Sequence, residues 1–177
     1  MTQPHIVAIG GTLSPTSSTA RALQTVLDAA QARGARTTLL TGEAIAFPHY
    51  EPETARADAN VAAFLDTLRS ADALVIGSPG YHGTLSGMVK TMLDHVELTR
   101  RDARTYFDGM PVGLVAVAGG WQAAMSTLGT LRTVTHALRG WPTPLGIAVN
   151  SADAACIDAL PDQAAIMVDQ IMGFLKA

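Results

Sequence analysis

Ala73-Leu74-Val75-Ile76-Gly77-Ser78-Pro79-Gly80-Tyr81-His82-Gly83-Thr84-Leu85-Ser86-Gly87 is the stretch on which the fold turns. Ala73 to Gly77 is an unbroken apolar run, the pattern of a strand buried on both faces. Ser78 to Gly87 carries three glycines and a proline and reads as a loop. Ser86 to Leu98 then places Val89, Met92, Leu93 and Val96 on one face, the spacing of an amphipathic helix. A buried strand, a glycine-rich turn and a helix make one β–α unit.

The same order repeats along the chain. His5 to Gly10 predicts a first strand and Ser18 to Arg33 a helix, with Gly34 where a helix ends. Thr37 to Leu40 predicts a weaker strand. Ala46 to Glu53, with Pro48 and Pro52, reads as loop, and Val61, Phe64, Leu65 and Leu68 mark the next helix. Val112 to Ala118 and Leu145 to Val149 predict two more strands. Helices are expected over Ala124 to Leu138 and Asp162 to Leu175. Five such units in a row predict an α/β fold, a doubly wound five-stranded parallel sheet with helices on both faces. There is no internal repeat or linker, so one domain is expected over residues 1–177.

Composition excludes several classes. Hydrophobic residues make up 48% and charged residues 15%, which does not fit a disordered chain. Twelve Lys and Arg against 15 Asp and Glu leave a net charge of -3, so no nucleic-acid partner is expected. The single cysteine, Cys156, rules out an internal disulfide and a cysteine-rich metal site. Met1 to His5 has no basic leader, and no apolar run is long enough to span a membrane; a soluble, cytoplasmic chain is expected. Aromatic residues are only 5%, which argues against a site built on stacked protein rings.

In doubly wound sheets ligands bind beyond the carboxyl ends of the strands, so three loops carry the functional reading. Gly10 to Thr19 (GGTLSPTSST) has six hydroxyl residues entering a helix but neither a dinucleotide fingerprint nor a Walker loop. Amides at a helix start, with hydroxyls beside them, suit a phosphate. A plain N-cap at Ser17 or Ser18 is the alternative. Ser78 to Gly87 lets a flat ligand approach the backbone, while His82 taken alone reads more readily as a surface or satisfied histidine than as a catalytic one. Gly119-Gly120 exposes amides after the fourth strand, or is simply a turn.

Together these loops resemble the NADPH-dependent FMN reductase family. The family's first loop runs Gly-Ser-x-Arg-x-x-Ser-x-Asn/Ser, against Gly11-Thr12-Leu13-Ser14-Pro15-Thr16-Ser17-Ser18-Thr19 here, with Ser14 in place of the arginine. Its second loop runs Ser/Thr-Pro-x-Tyr-His/Asn-Gly-x-x-Ser-Gly-x-x-Lys-x-x-x-Asp, matched from Ser78 through Lys90 to Asp94. The glycine pair Gly119-Gly120 is the third element. The resemblance implies a flavodoxin-like fold with strand order 2-1-3-4-5. It implies FMN bound by Thr12, Ser14, Ser17, Ser18 and Thr19 around the phosphate. Pro79, Gly80, Tyr81, His82 and Gly83 would lie along the isoalloxazine edge, Gly119 and Gly120 at the pyrimidine side, and Ser86 on the following helix. Arg21, near the first helical turn, is placed to make up for Ser14; the alternative is loosely held FMN in a protein that hands flavin on.

The implied activity is NAD(P)H-dependent reduction of FMN, with NADPH or NADH as donor, no catalytic side chain and no metal. The reduced flavin would go to a partner monooxygenase, or electrons to a small acceptor. The alternatives are a quinone or azo reductase with tightly bound FMN, and a non-catalytic electron carrier. A hydrolase using Ser86, His82 and Asp94 lacks the G-x-S-x-G elbow. Lys90 and Asp94 read as an i, i+4 ion pair. Arg100, Arg101 and Arg104 read as a solvated or subunit-contact face, with the 2′-phosphate of NADPH as the other possibility. Met88 and Met92, expected on the exposed face of their helix, point to a homodimer or a dimer of dimers.

Overall fold

The computed structural model describes residues 3–14 and 16–176; Met1, Thr2, Ala177 and Pro15 of the first loop lie outside the described residues. The strands are β1 (His5–Gly10), β2 (Arg36–Leu40), β3 (Ala73–Tyr81), β4 (Thr84–Leu85), β5 (Pro111–Ala118), β6 (Trp141–Pro142) and β7 (Ile147–Asn150). The sheet has seven strands in the order β2-β1-β3-β5-β6, with β4 on β3 and β7 on β5. This corrects the expected five strands in order 2-1-3-4-5. Two local events account for it. The second loop folds into a hairpin that adds β4 antiparallel to β3. The last strand position is filled by two pieces, β6 against Pro111 and Val112 and β7 against Val115 to Ala118. Between them lie Thr143-Pro144-Leu145-Gly146, where the proline removes an amide from the ladder.

The helices are α1 (Ser18–Gln31), α2 (Pro52–Ala57), α3 (Ala59–Arg69), α4 (Gly87–His95), α5 (Trp121–Ala137), α6 (Ala154–Asp158) and α7 (Leu160–Phe174). In β1 all six residues are buried, and alternate side chains serve opposite layers. Ile6 and Ala8 pack with Leu23 and Val26 of α1 and Met167 and Ile171 of α7. Val7 and Ile9 pack with Phe64 of α3, Met92 of α4 and Leu131 of α5. Each fully buried Leu, Ile or Met contributes about 1.5–3 kcal/mol, so the two layers supply most of the stabilisation.

Some details differ from expectation. Part of the Ala46–Glu53 loop is helical: Pro52 opens α2, where its missing amide costs nothing, and Glu51 caps it. Residues 154–158 form an unexpected short helix. Met92 is fully buried and Met88 half-buried against the same core, so α4 does not expose the methionine face on which a dimer was expected. Glu97 and its neighbours form a 3₁₀ turn, Val96–Thr99, rather than more α-helix.

His5 ties β1 to the rest of the sheet. Its ring is buried, with Nε2 2.8 Å from Thr38 Oγ1 and Nδ1 3.1 Å from the Ser70 carbonyl. Burial holds its pKa below the ordinary value, with Arg36 acting the same way and Ser70 and Asp72 opposing. The unfolded chain therefore takes up this proton at higher pH than the fold does. Its contribution to stability is complete above about pH 6.5 and is lost as pH falls through the window below. Urea unfolding at pH 7.5 and 5.5 should show a drop in midpoint that is smaller in His5→Gln; equal drops in the two proteins would contradict this.

Candidate functional site

β1 ends in two glycines with left-handed backbone, Gly10 at φ 132° and Gly11 at φ 105°. They carry the chain off β1 beside the middle of β3, and the Gly11 amide donates to the Gly77 carbonyl (3.2 Å). The loop beyond is held by its own hydroxyls. Thr12 Oγ1 accepts from the Ser14 amide (3.2 Å), Ser14 Oγ lies 3.2 Å from Thr16 Oγ1, and the Ser17 amide donates to the Ser14 carbonyl (3.2 Å). Ser17 is the N-cap of α1, its Oγ accepting from the Ala20 amide (3.1 Å). That satisfies one amide of the first turn; those of Ser18 and Thr19 have no acceptor among the described residues. No acidic residue stands in that turn, so the positive end of the helix is uncompensated. Arg21 folds back over the loop, donating to the Thr16 carbonyl (2.7 Å) and Ser18 Oγ (3.0 Å). Thr19 is buried beneath the loop, whereas Thr12, Ser14, Thr16 and Ser18 retain exposure.

The second loop is ordered as a hairpin. β3 continues through Pro79 to Tyr81, and Gly80 pairs with Leu85 and Tyr81 with Thr84. His82 (φ 51°) and Gly83 (φ 86°) form the two-residue turn with both centres left-handed. Ser78 and Ser86 are buried and structural: the Ser86 amide donates to Ser78 Oγ (2.9 Å), and Ser86 Oγ caps α4 through the Val89 amide (3.2 Å). Ser86 thus faces the interior, while Tyr81 and His82 stand on the rim. The hairpin is bound to α5 through Ser126 Oγ, which donates to the Gly83 carbonyl.

The third loop is the turn from β5 into α5. Gly120 is the N-cap, and a Cβ on Gly119 or Gly120 would meet nothing within 4 Å. Their bareness is not demanded by packing and leaves backbone open to a ligand. β1, β3 and β5 are neighbours in the sheet, so the three loops lie side by side at one edge.

Two buried hydroxyls that sequence reading missed pack against glycines of these loops. Among the described residues Thr41 Oγ1, just past β2, is buried without a partner, and it would lie 2.6 Å from a Cβ at Gly11. Thr127 Oγ1 of α5 is likewise unpartnered and 2.8 Å from a Cβ at Gly80. Only the tertiary fold brings them there, and no local motif marks them.

Other candidates lie elsewhere. Arg104 donates to the carbonyls of Leu68 (2.8 Å), Arg69 (3.0 Å) and Ala71 (2.9 Å), closing the end of α3. Arg100 pairs with Glu97 (3.3 Å) and Lys90 with Asp94 (2.6 Å). With Ser86 committed to its cap and Asp94 to Lys90, no hydrolytic triad forms around His82. Cavities of about 420 and 490 Å³ lie around Tyr106 and around Tyr50 and Arg101, and neither touches the three loops. The loop edge is a shelf on which Leu13, Tyr81 and Trp121 are exposed. Among the described residues, no helix is long and apolar enough to cross a membrane, and no group of acidic, His and Cys side chains is placed to hold a metal.

A parallel sheet with glycine-bearing loops beyond β1, β3 and β5 defines a flavodoxin-like α/β protein. Solved structures agree: the flavoenzyme NAD(P)H:(acceptor) oxidoreductase FerB of Paracoccus denitrificans superposes with a TM-score of 0.77 at 19% identity, covering 97% of this chain and 98% of that one. The flavodoxin WrbA-like protein of Agrobacterium tumefaciens gives 0.67 at 16% identity, covering 99% of each. Residues 4–154 match the model of the NADPH-dependent FMN reductases, and the chain belongs to that family. An FMN-dependent NADPH-azoreductase of Staphylococcus haemolyticus is 33% identical over 126 residues, 66% of this chain and 63% of the relative, so the chain spans less than two thirds of that relative's length.

Proposed function

We propose that the chain is an NAD(P)H-dependent FMN reductase whose flavin lies along the shelf formed by the three loops. The observation that carries this is the adjacency of a hydroxyl-rich helix start, a backbone-lined hairpin and a bare glycine pair. The residues fit FMN on structural grounds: the glycines leave a cradle that side chains would fill, and two buried hydroxyls beside it lack partners among the described residues.

In this reading the free amides at the start of α1 and the hydroxyls of Thr12, Ser14 and Ser18 hold the phosphate, with Ser17 shaping the turn and Thr19 supporting it from below. Pro79, Gly80, Tyr81, His82 and Gly83 border the ring edge. Ser86 acts one step removed, pinning the hairpin through Ser78. The amides of Gly119 and Gly120 donate toward negative charge on the pyrimidine side. When bound, FMN supplies hydride acceptance at N5 and the return of electrons to an acceptor. The chain's part is to hold the two reactants at contact distance, which requires no nucleophile or strong base.

The acceptor divides two versions of this reading. A partner monooxygenase receives the reduced flavin, or a small acceptor is reduced in place. The name of the staphylococcal relative supports the second, an azo-type reductase that retains FMN. A homodimer or a dimer of dimers remains part of the proposal, resting on the family resemblance and not on Met88 and Met92. The test is anaerobic: add FMN, then NADPH or NADH, and follow the visible band of oxidised flavin. Bleaching with either nucleotide is the expected result; a persistent band with both would remove the proposal.

A further inference from the structure

Several large apolar side chains stay exposed, and four belong to the shelf: Leu13 (60%) on the first loop, and Tyr81 (53%), Trp121 (48%) and Met125 (56%) on the hairpin and the start of α5. Trp121 and Met125 are one turn apart at the start of α5 and share a face. Tyr81 is held beside them because the hairpin is bonded to α5, and Gly80 approaches the Ala123 carbonyl so closely that a Cβ would sit 3.1 Å from it. The other exposed tryptophan differs: Trp141 lies against Phe174, ring centres 6.3 Å apart, at the opposite end of β5. An exposed apolar group beside a candidate site marks a binding surface.

Charge narrows the occupant. Residues 10–19, 78–87 and 119–126 contain no Lys, Arg, Asp or Glu. Lys90, the first cation beyond the hairpin, is paired with Asp94. The patch thus offers flat apolar contact and no counter-charge of its own for a sulfonate; Arg21, which follows the first loop, is folded back on Thr16 and Ser18. We propose that Trp121, with Met125 and Tyr81, is the platform that selects uncharged planar aromatic electron acceptors, Trp121 being the specificity-determining residue. This rests on the reductase reading above.

The experiment uses the FMN-loaded protein without nicotinamide nucleotide, and 1,4-naphthoquinone and its 2-sulfonate as probes. In Trp141→Phe, Trp121 is the only tryptophan, and its fluorescence should be quenched saturably by naphthoquinone but not by the sulfonate. By calorimetry, Trp121→Ala should bind naphthoquinone about tenfold more weakly, the scale of a lost aromatic contact, and Trp121→Phe should recover most of it. In turnover the Trp121→Ala effect should fall on KM for the quinone, with the FMN Kd unchanged. Unchanged quinone affinity in Trp121→Ala, equal binding of both probes, a loss confined to FMN affinity, or conversion of a dimer to monomers would each overturn the proposal. Failure of flavin bleaching in the unsubstituted protein would instead remove the reductase reading.

Discussion

Gly10→Ala is expected to cost the fold about 2–6 kcal/mol, summing backbone strain and overpacking. Gly10 sits at φ 132°, where side-chain-bearing residues are strained, and its Cβ would lie 1.8 Å from the Gly77 carbonyl oxygen. That oxygen is backbone in the central strand and cannot rotate away. Gly10 and Gly77 are in register, and Gly77 itself is closed in by Leu23, 2.8 Å from where its own Cβ would be. Relief would require parting β1 from β3, the middle of the sheet. Gly11→Ala is the internal comparison. It too is left-handed, at φ 105°, but the atom it meets is the Thr41 hydroxyl, a side-chain tip that can turn. Its loss should be smaller. Urea unfolding of the two variants checks the ranking, and equal midpoints for Gly10→Ala and the parent protein would contradict it. Flavin retention should fall in both, since the same two residues launch the first loop.

The parts of this molecule legible in sequence are those whose physics is local. Ala73 to Gly77 had to be a buried strand because nothing in it tolerates water, and the glycines after β1 and β5 announced open backbone. The hairpin was less legible. Pro79 reads as a strand breaker, yet β3 continues through it in register with Val117 of β5. The turn is made by His82 at φ 51°, a backbone that is uncommon outside glycine although histidine takes it more readily than most; the available signal was a two-residue turn ending in Gly83. Met92 misled for a related reason: helical spacing gives a face but not which layer covers it. Ser86 matched a motif, and only the bond its amide donates to Ser78 and the one its hydroxyl accepts from Val89 reveal a supporting role. Thr41 and Thr127 could not be found at all, because their interest lies in what stands opposite them across the fold.

Arg21→Ala is expected to weaken FMN binding about tenfold, the lower end of what a charge-assisted contact to phosphate contributes, because this guanidinium is exposed. The family resemblance puts an arginine at position 14, where this chain has serine. Here the first loop receives its positive charge from α1 instead. Arg21 spends two donors on the Thr16 carbonyl and Ser18 Oγ, which holds the guanidinium against the loop. An arginine has five N–H donors, so the remaining ones are available to an anion. The uncompensated start of α1 adds to the same field. Quenching of flavin fluorescence on binding gives the Kd. Raising salt should narrow the gap between Arg21→Ala and the parent, since exposed charges are screened. Adding Ser14→Arg to Arg21→Ala should restore affinity by returning the charge from the loop itself. A Kd that stays within the error of the parent in Arg21→Ala would show that the amides and hydroxyls hold the phosphate unaided. Loss of affinity that Ser14→Arg fails to rescue would show that Arg21 matters for the shape of the loop rather than for its charge.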